Sequence, residues 1–241
     1  VRINSLAKGH SGVHPDVLGQ IVNFLNFDIT PAIPRIGSLG ASGDLAPLSH
    51  MALALIGEGD VLTSDGTTEP SANQLKVHGL IPLELRAKDG LSLINGTSQM
   101  CSFLTLSEQR LTNLMVYADL VLCTSIEARK ASVTPADERV HNARPHEGQL
   151  TISRRIRTIL ANSPIMESHA NCDQVQDAYS FRCAPQVHGA VYERFSALQN
   201  TLNIELNSAT DNPLVFPDHS NPAFRYPRRE VVKALGNVHH G

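Results

Sequence analysis

The segment from Thr97 to about Lys130 constrains the fold most, because it contains neither proline nor glycine. Thr97 is the predicted N-cap, and Arg129 and Lys130 suit the C-terminal end of the helix dipole. A helix of about 34 residues would be roughly 50 Å long at ~1.5 Å per residue, more than the diameter of a compact domain of this size. The segment therefore predicts an all-α fold, an elongated bundle of long helices, and an oligomer that completes its core between subunits. Its apolar residues recur at helical spacing: Met100, Phe103, Leu104, Leu111, Leu114, Met115, Ala118, Leu122 and Ile126.

Two further helices are predicted near the start of the chain. Val17, Ile21, Phe24 and Leu25 recur at helical spacing in DVLGQIVNFLNF. Asp44 is a candidate cap for a helix over LAPLSHMALALI, in whose first turn a proline is tolerated.

Other segments are assigned from turn and helix signals. Residues 58–70 are loop-like and predict a small hairpin about Asp65-Gly66, and NQLKVHG predicts a short helix that ends at Gly79. A second long helix is expected from about Pro185 to Asn207. Residues 208–230 contain four prolines and are expected to form a loop.

Composition argues against several kinds of partner. A net charge of −3 gives no basic footprint for nucleic acid, and no apolar run is expected to reach the length of a membrane span. The four cysteines form no CxxC pair, so neither a disulfide framework nor a zinc site is expected. These features favour a cytoplasmic protein. Because the chain starts in a helix-like segment without Met and stops at His239-His240-Gly241, we expect a fragment of a longer protein.

The sequence GSLGASGD at residues 37–44 allows several interpretations. Its glycines could hold a phosphate at a helix N-terminus, but no lysine follows and Asp44 would repel the anion. Ser42 could be a nucleophile, although G-A-S-G differs from the G-x-S-x-G of a nucleophile elbow. A tight turn that leads into a capped helix is the third possibility.

Five segments together resemble the aromatic amino-acid ammonia-lyases, with the histidine enzymes closest. They appear in the family's order over nearly the whole chain: INSLAKGHSG (3–12), GASGDLAPLSH (40–50), LINGT (93–97), HANCDQVQDAYSFRCAPQVHGA (169–190) and ELNSATDNPLVF (205–216). The resemblance implies one central portion of a larger chain. Residues 1–96 would carry the electrophile, and residues 97–241 would form the long-helix bundle.

The resemblance also implies a cofactor made from the backbone itself. The Gly43 amide nitrogen would attack the Ala41 carbonyl carbon, and loss of two waters, one involving the Ser42 hydroxyl, would give 4-methylidene-imidazole-5-one. Glycine suits the third position because it carries no side chain to block the approach. No metal or nucleotide is implied.

Other family positions imply the substrate-binding residues. Asn95 would lie beside the electrophile and Gln176 would supply a hydrogen bond. Arg182 would clamp the substrate carboxylate, and Tyr179 would assist proton transfer. Spacing of three residues along a helix or turn would point Gln176, Tyr179 and Arg182 the same way. Taken singly, Arg182 could instead be a surface ion-pair residue and Asn95 a turn residue.

The implied activity is ammonia elimination from L-histidine to give urocanate, by a homotetramer that functions in histidine catabolism. The stretches NCDQVQDAYSFRC and RPHEGQ favour histidine as the substrate. A tyrosine or phenylalanine lyase, an aminomutase and an inactive truncated scaffold stay open. One departure is LGNVHHG near the C-terminus, where Val238 stands in place of the family's aromatic residue and His239-His240 contains one histidine more than the family pattern.

Overall fold

The computed structural model describes residues 1–171, 173–217 and 229–232. The predicted all-α class is confirmed, since helices dominate this part of the chain and the strands are short. The α-helices are α1 (Arg2–Ala7), α2 (Pro15–Asn26), α3 (Leu45–Leu55), α4 (Ser71–Val77), α5 (Asp89–Ile94), α6 (Ser98–Ala128), α7 (Glu138–Asn142), α8 (Glu147–Ile159), α9 (Pro164–Glu167), α10 (Tyr179–Arg182) and α11 (Ala184–Leu206). The strands are β1 (Thr30–Pro31), β2 (Asp60–Leu62), β3 (Thr68–Pro70), β4 (Leu214–Pro217) and β5 (Arg229–Val232), and a 3-10 turn covers Thr134–Ala136.

The chain divides into two compact units. The first comprises Val1–Thr105 with Leu202–Gly241, and the second comprises Leu106–Thr201. The predicted division into residues 1–96 and 97–241 concerns function rather than compactness, and it stays a prediction.

The first unit has an apolar core that α2 helps to build. Pro15 fits the first helical position, where its missing N–H costs nothing, and the His14 side chain accepts a hydrogen bond from the Asp16 amide. Val17, Ile21 and Phe24 are buried, as their spacing predicts, whereas Leu25 is exposed. The core cluster comprises Leu6, Val17, Ile21, Phe24, Ile29, Ala52, Ala54, Leu55, Val61, Leu75 and Leu93.

The predicted hairpin is present in this unit. Strands β2 and β3 pair antiparallel with Val61 opposite Glu69, and Gly66 takes a left-handed φ of 83° in the turn. Strand β1 adds a third strand along β2, which the sequence did not predict. The helix after the hairpin ends at Val77, and Gly79 follows with a φ of 64°, close to the predicted end.

The second unit packs α8 and α11 against the later part of α6. A methyl group on Gly148 would meet the backbone of Gly189, and one on Gly189 would lie 2.6 Å from the Gln149 amide nitrogen. Only glycine therefore allows α8 and α11 to approach this closely. The core cluster comprises Leu122, Cys123, Ile126, Ala131, Ala136, Ile152, Ile156, Leu160 and Ala184.

Helix α6 confirms the long helix predicted from residue 97, and its 31 residues correspond to roughly 46 Å. By length and composition alone it could cross a membrane, contrary to the expectation from the sequence, with a mean hydropathy of 1.2 over its most apolar window. Its buried Asp119, however, accepts hydrogen bonds from Arg155 and His188 at 2.9 and 3.0 Å. A buried carboxylate that is satisfied by side chains is typical of a protein interior.

Both predicted N-cap positions are confirmed, but the Asp44 side chain caps a different helix. Asp44 stands at the N-cap position of α3 but makes no side-chain hydrogen bond to that helix. Instead its Oδ2 accepts from the amides of Gln99 at 2.7 Å and Met100 at 3.0 Å, in the first turn of α6. Thr97 directly precedes α6 and its carbonyl accepts the Cys101 amide at 3.0 Å, as an N-cap residue does, while the Asp44 side chain satisfies two amides of the first turn.

Part of the predicted loop at 208–230 is a two-stranded sheet. Strands β4 and β5 pair antiparallel, with Leu214 opposite Val232 and Val215 opposite Val231. The apolar LVF run satisfies its backbone by pairing, which outweighs the turn signal of the surrounding prolines. Residues 218–228 lie outside the described residues, as does the LGNVHHG stretch with Val238, His239 and His240. Helix α11 confirms the second long helix, whereas α5 and α7 to α10 were not predicted.

Candidate active site

The Ala41-Ser42-Gly43 segment forms a closed turn directly before α3. The Gly43 amide donates to the Gly40 carbonyl at 3.1 Å, and the Leu39 amide donates to the Gly43 carbonyl at 2.8 Å. Gly40 and Gly43 have φ values of 75° and 73°, which residues with a side chain rarely adopt. The tight turn into a helix, one of the three interpretations of GSLGASGD, describes this backbone.

Gly43 is held from two sides. It pairs with Gly96 in an isolated parallel bridge, and a methyl group built on it would lie 2.6 Å from the Met100 Cε. Gly43 is buried, while Ala41 is exposed and Ser42 is half-buried. The left-handed φ of the turn favours glycine at this position, and Ser42 keeps part of its surface exposed.

Asn95 is brought beside the turn because it directly precedes Gly96. At the end of α5, the Asn95 amide donates a hydrogen bond to the Leu91 carbonyl at 2.9 Å. The residue is 7% exposed. The Asn95 Oδ1 is buried and has no hydrogen-bond partner among the described residues. A buried amide oxygen without a partner costs free energy, so this oxygen is suited to accept a hydrogen bond from a ligand.

Asp44 connects the turn to the long helix. It is fully buried, its Oδ2 caps α6, and its Oδ1 has no hydrogen-bond partner among the described residues. The turn is thus anchored at Gly43 to the Asn95-Gly96 segment and at Asp44 to α6. From the sequence, Asp44 was expected to cap α3 and Met100 had no expected role at the turn, because nothing local indicates contacts across more than fifty residues.

Gln176, Tyr179 and Arg182 lie together in the second unit. The Arg182 Nη1 donates to the Gln176 Oε1 at 2.9 Å, and the guanidinium carbon lies 4.9 Å from the centre of the Tyr179 ring. Tyr179 and Arg182 are the first and last residues of α10, which points them to one side. Tyr179 is 73% exposed, so this group presents a cation, an amide and a phenol to the outside of the unit.

The candidate residues thus fall into two groups, one in each unit. Ala41, Ser42, Gly43 and Asn95 belong to the first, and the three residues around α10 belong to the second. Among residues 1–171, 173–217 and 229–232, no group of three or more metal-ligating side chains has the geometry for a metal ion. Cys101, Cys123 and Cys183 are free thiols, and Cys172 lies outside the described residues.

Comparison with known proteins gives matches over the whole chain. The family described as aromatic amino acid lyase matches residues 1–241. The histidine ammonia-lyase of Stigmatella aurantiaca is 47% identical over 216 residues, which cover 90% of this chain and 42% of that protein. Among solved structures, tyrosine aminomutase from Streptomyces globisporus has a TM-score of 0.80 at 44% identity. The match covers 89% of this chain and 44% of the aminomutase chain.

A second solved structure, histidine ammonia-lyase from Trypanosoma cruzi, has a TM-score of 0.79 at 38% identity. That match covers 91% of this chain and 40% of the other. The chain therefore spans about two fifths of the length of the relatives named here.

Proposed function

This chain belongs to the aromatic amino acid lyase family, and on that premise we propose that it is the electrophile-bearing part of a histidine ammonia-lyase. One observation carries the proposal. The Gly43–Gly96 bridge places Asn95, with its unpartnered buried oxygen, next to the closed Ala41-Ser42-Gly43 turn. A turn with an accessible serine and an adjacent buried amide is the arrangement expected around a cyclised tripeptide.

Cyclisation needs only groups that the turn contains. The Gly43 nitrogen would form a bond to the Ala41 carbonyl carbon, whose oxygen would leave as one water with the amide hydrogens of Gly43 and Ser42. The Ser42 hydroxyl and its Cα hydrogen leave as the second water. The product, 4-methylidene-imidazole-5-one, supplies an electrophilic methylene that no ordinary side chain offers. The half-buried Ser42 and the left-handed φ of Gly43 support this chemistry at these residues.

The remaining site residues bind and orient the amino acid. We assign the substrate carboxylate to Arg182, because a guanidinium can bind a carboxylate through two parallel hydrogen bonds. Gln176, which already accepts from Arg182, would hold the guanidinium and offer its amide to the substrate. Asn95 would supply a hydrogen bond beside the turn. Tyr179, exposed at the start of α10, would assist proton transfer.

Histidine is the proposed substrate, with urocanate as product, because the two histidine ammonia-lyases named above are 47% and 38% identical to this chain. The 44% identity to a tyrosine aminomutase keeps an aminomutase or a tyrosine or phenylalanine lyase as the second candidate. An inactive helical scaffold is the alternative from another class.

We also propose a homotetramer in the cytoplasm. Apolar side chains that a soluble protein ordinarily covers are exposed on the two long helices, including Leu114 and Val121 on α6 and Val187 and Val191 on α11. Burying such stripes against other subunits would remove them from water.

The proposal is tested on the full-length protein by intact mass and by turnover. We expect a mass lower than the sequence mass by two waters, formation of urocanate from L-histidine, and little reaction with L-tyrosine or L-phenylalanine. The control is Ser42→Ala, which cannot lose the second water and should keep the helical circular dichroism. A wild-type mass equal to the plain sequence would overturn the electrophile. Preferred turnover of tyrosine or phenylalanine, or a β-amino acid product, would select the second candidate.

A further inference from the structure

The buried guanidinium of Arg2 has no part in the function proposed above. Arg2 lies in α1, and its side chain is almost entirely removed from solvent at 4% exposure. Its Nη1 donates to the Thr210 carbonyl at 3.0 Å, and its Nη2 donates to the Ser92 carbonyl. A buried arginine that binds two backbone carbonyls fixes the relative position of two chain segments.

One of those carbonyls belongs to the helix that leads into Asn95. Ser92 lies in the last turn of α5, where carbonyls have no partner within the helix. The Arg2 guanidinium satisfies this carbonyl and places a positive charge at the negative end of the helix dipole. The C-terminal end of α5, and with it Asn95, is thereby tied to α1.

Gly96 lies in contact with the same guanidinium. Its φ of 152° lies within the range that favours glycine, and a methyl group built on it would meet both the Arg2 Nη1 and the Thr210 carbonyl oxygen. Gly96 is also the residue that pairs with Gly43. Arg2 and Gly43 therefore contact the same residue, the one that follows Asn95.

A polar network holds Arg2 and its partners in place. The Ser5 Oγ accepts from the Thr210 amide at 3.0 Å. The Lys88 Nζ contacts the Ser92 Oγ at 3.1 Å and forms an ion pair with Asp211 at 2.7 Å. These residues belong to or adjoin three of the segments that carry the family resemblance, and the proposed function assigned none of them a role.

Arg2 keeps its charge despite its burial. Burial lowers the pKa of Arg2 to about 10, and the Asp211 carboxylate opposes that change, so the guanidinium is protonated at neutral pH. An apolar residue at this position would leave the Thr210 and Ser92 carbonyls without their donor. The guanidinium therefore holds both segments in one geometry.

We propose that Arg2 is a positioning residue, which holds the Asn95-Gly96 peptide against Gly43 and so fixes the Asn95 side chain beside the tripeptide turn. The effect on catalysis rests on the proposed function, because it acts through Asn95. The effect on the Asn95-Gly96 backbone does not depend on it.

The kinetic test uses Arg2→Lys in the full-length protein. A lysine carries a point charge and cannot bridge two carbonyls as the planar guanidinium does. We expect kcat/KM for L-histidine to fall roughly 10- to 100-fold, mostly through kcat, because a small displacement of Asn95 would disturb the geometry at the reacting atoms. The matched control is Arg86→Lys, an exposed arginine of the same unit that pairs with Asp16 at 3.0 Å, and it should leave kcat/KM unchanged.

A double-mutant cycle separates positioning from general damage. If Arg2 acts through Asn95, adding Arg2→Lys to Asn95→Ala should cause no further loss of kcat. A further loss as large as that of Arg2→Lys alone would overturn the proposal.

Hydrogen exchange measures the placement without any activity. In Arg2→Lys the amides of residues 93–100 should exchange faster than in wild type, while those of 45–55 in α3 should not change. Arg2→Gln, which can reach only one carbonyl, serves in the same measurement if the lysine variant does not fold. Unchanged exchange at 93–100 in a folded variant refutes the positioning role. An inactive wild type would refute the proposed function, and the exchange result would still decide for or against Arg2.

Discussion

Replacing Asp44 with alanine removes the acceptor for two amides in the first turn of α6. Asp44 is fully buried, and its Oδ2 accepts from the Gln99 and Met100 amides at 2.7 and 3.0 Å. Each amide that loses its partner in a part-buried place costs roughly 1–2 kcal/mol, which also matches the upper part of the range for a lost N-cap. We therefore expect Asp44→Ala to lower the free energy of unfolding by about 2–4 kcal/mol.

The assay is urea unfolding of the full-length protein, followed by far-ultraviolet circular dichroism. Asp137→Ala is the matched control, because Asp137 caps α7 through the Arg139 amide at 2.8 Å but is only half-buried. Water can replace a partly exposed acceptor, so the control should lose less stability than Asp44→Ala. Asp44→Asn keeps one acceptor oxygen and should fall between the wild type and Asp44→Ala. A loss for Asp44→Ala no larger than that of Asp137→Ala would refute the argument that Asp44 caps α6.

Arg182→Lys should reduce transition-state stabilisation, measured as kcat/KM, by roughly 2–4 kcal/mol, because a point charge cannot reproduce the planar guanidinium. Near-normal kcat/KM in this variant would exclude the carboxylate role of Arg182. Residues 1–241 expressed alone should not convert L-histidine to urocanate, since the exposed apolar side chains on α6 and α11 would associate nonspecifically. Robust turnover by a folded, monodisperse sample of these residues would contradict this prediction. Burial raises the pKa of Asp119, but hydrogen bonds from His188 and Arg155 outweigh this effect and lower the pKa below its usual 3.8. The ionised carboxylate therefore stabilises the folded protein at neutral pH. This stability is lost as the pH falls below 3.8 and through the lowered pKa. Asp119→Asn should weaken that acid dependence in unfolding measurements between pH 2 and 6.

The long helices and the hairpin could be predicted because their signals are local. Periodic apolar residues indicate both long helices, and α6 in addition contains neither proline nor glycine. Asp65-Gly66 defines the turn between β2 and β3. The short helices between residues 131 and 182 escaped prediction, because four to thirteen residues give few periods and their stability comes from packing. Strands β4 and β5 escaped because prolines surround the apolar run and its partner lies far along the chain.

The family resemblance identified the candidate residues, whereas the tertiary structure decided how they are arranged. The resemblance named Ala41, Ser42, Gly43 and Asn95 and implied that Asn95 lies beside the electrophile. Asn95 is more than fifty residues from the turn along the chain, and no local pattern indicates which backbone contact brings it there. The Gly43–Gly96 bridge is a pairing of backbones, which depends on distant segments meeting rather than on any local pattern.

The capping role of Asp44 and the burial of Arg2 show the same limit. A carboxylate that follows a turn predicts a local cap by propensity, yet in the folded chain its nearest free amides belong to α6. An arginine in a short helix is expected at the surface, yet Arg2 is buried, donates to two distant carbonyls and packs against a glycine. The local sequence determined the helices and the turn, since their hydrogen bonds close within a few residues. Only the packed structure determined the partners of buried polar groups, because each such group bonds to whatever acceptor or donor the fold brings near it.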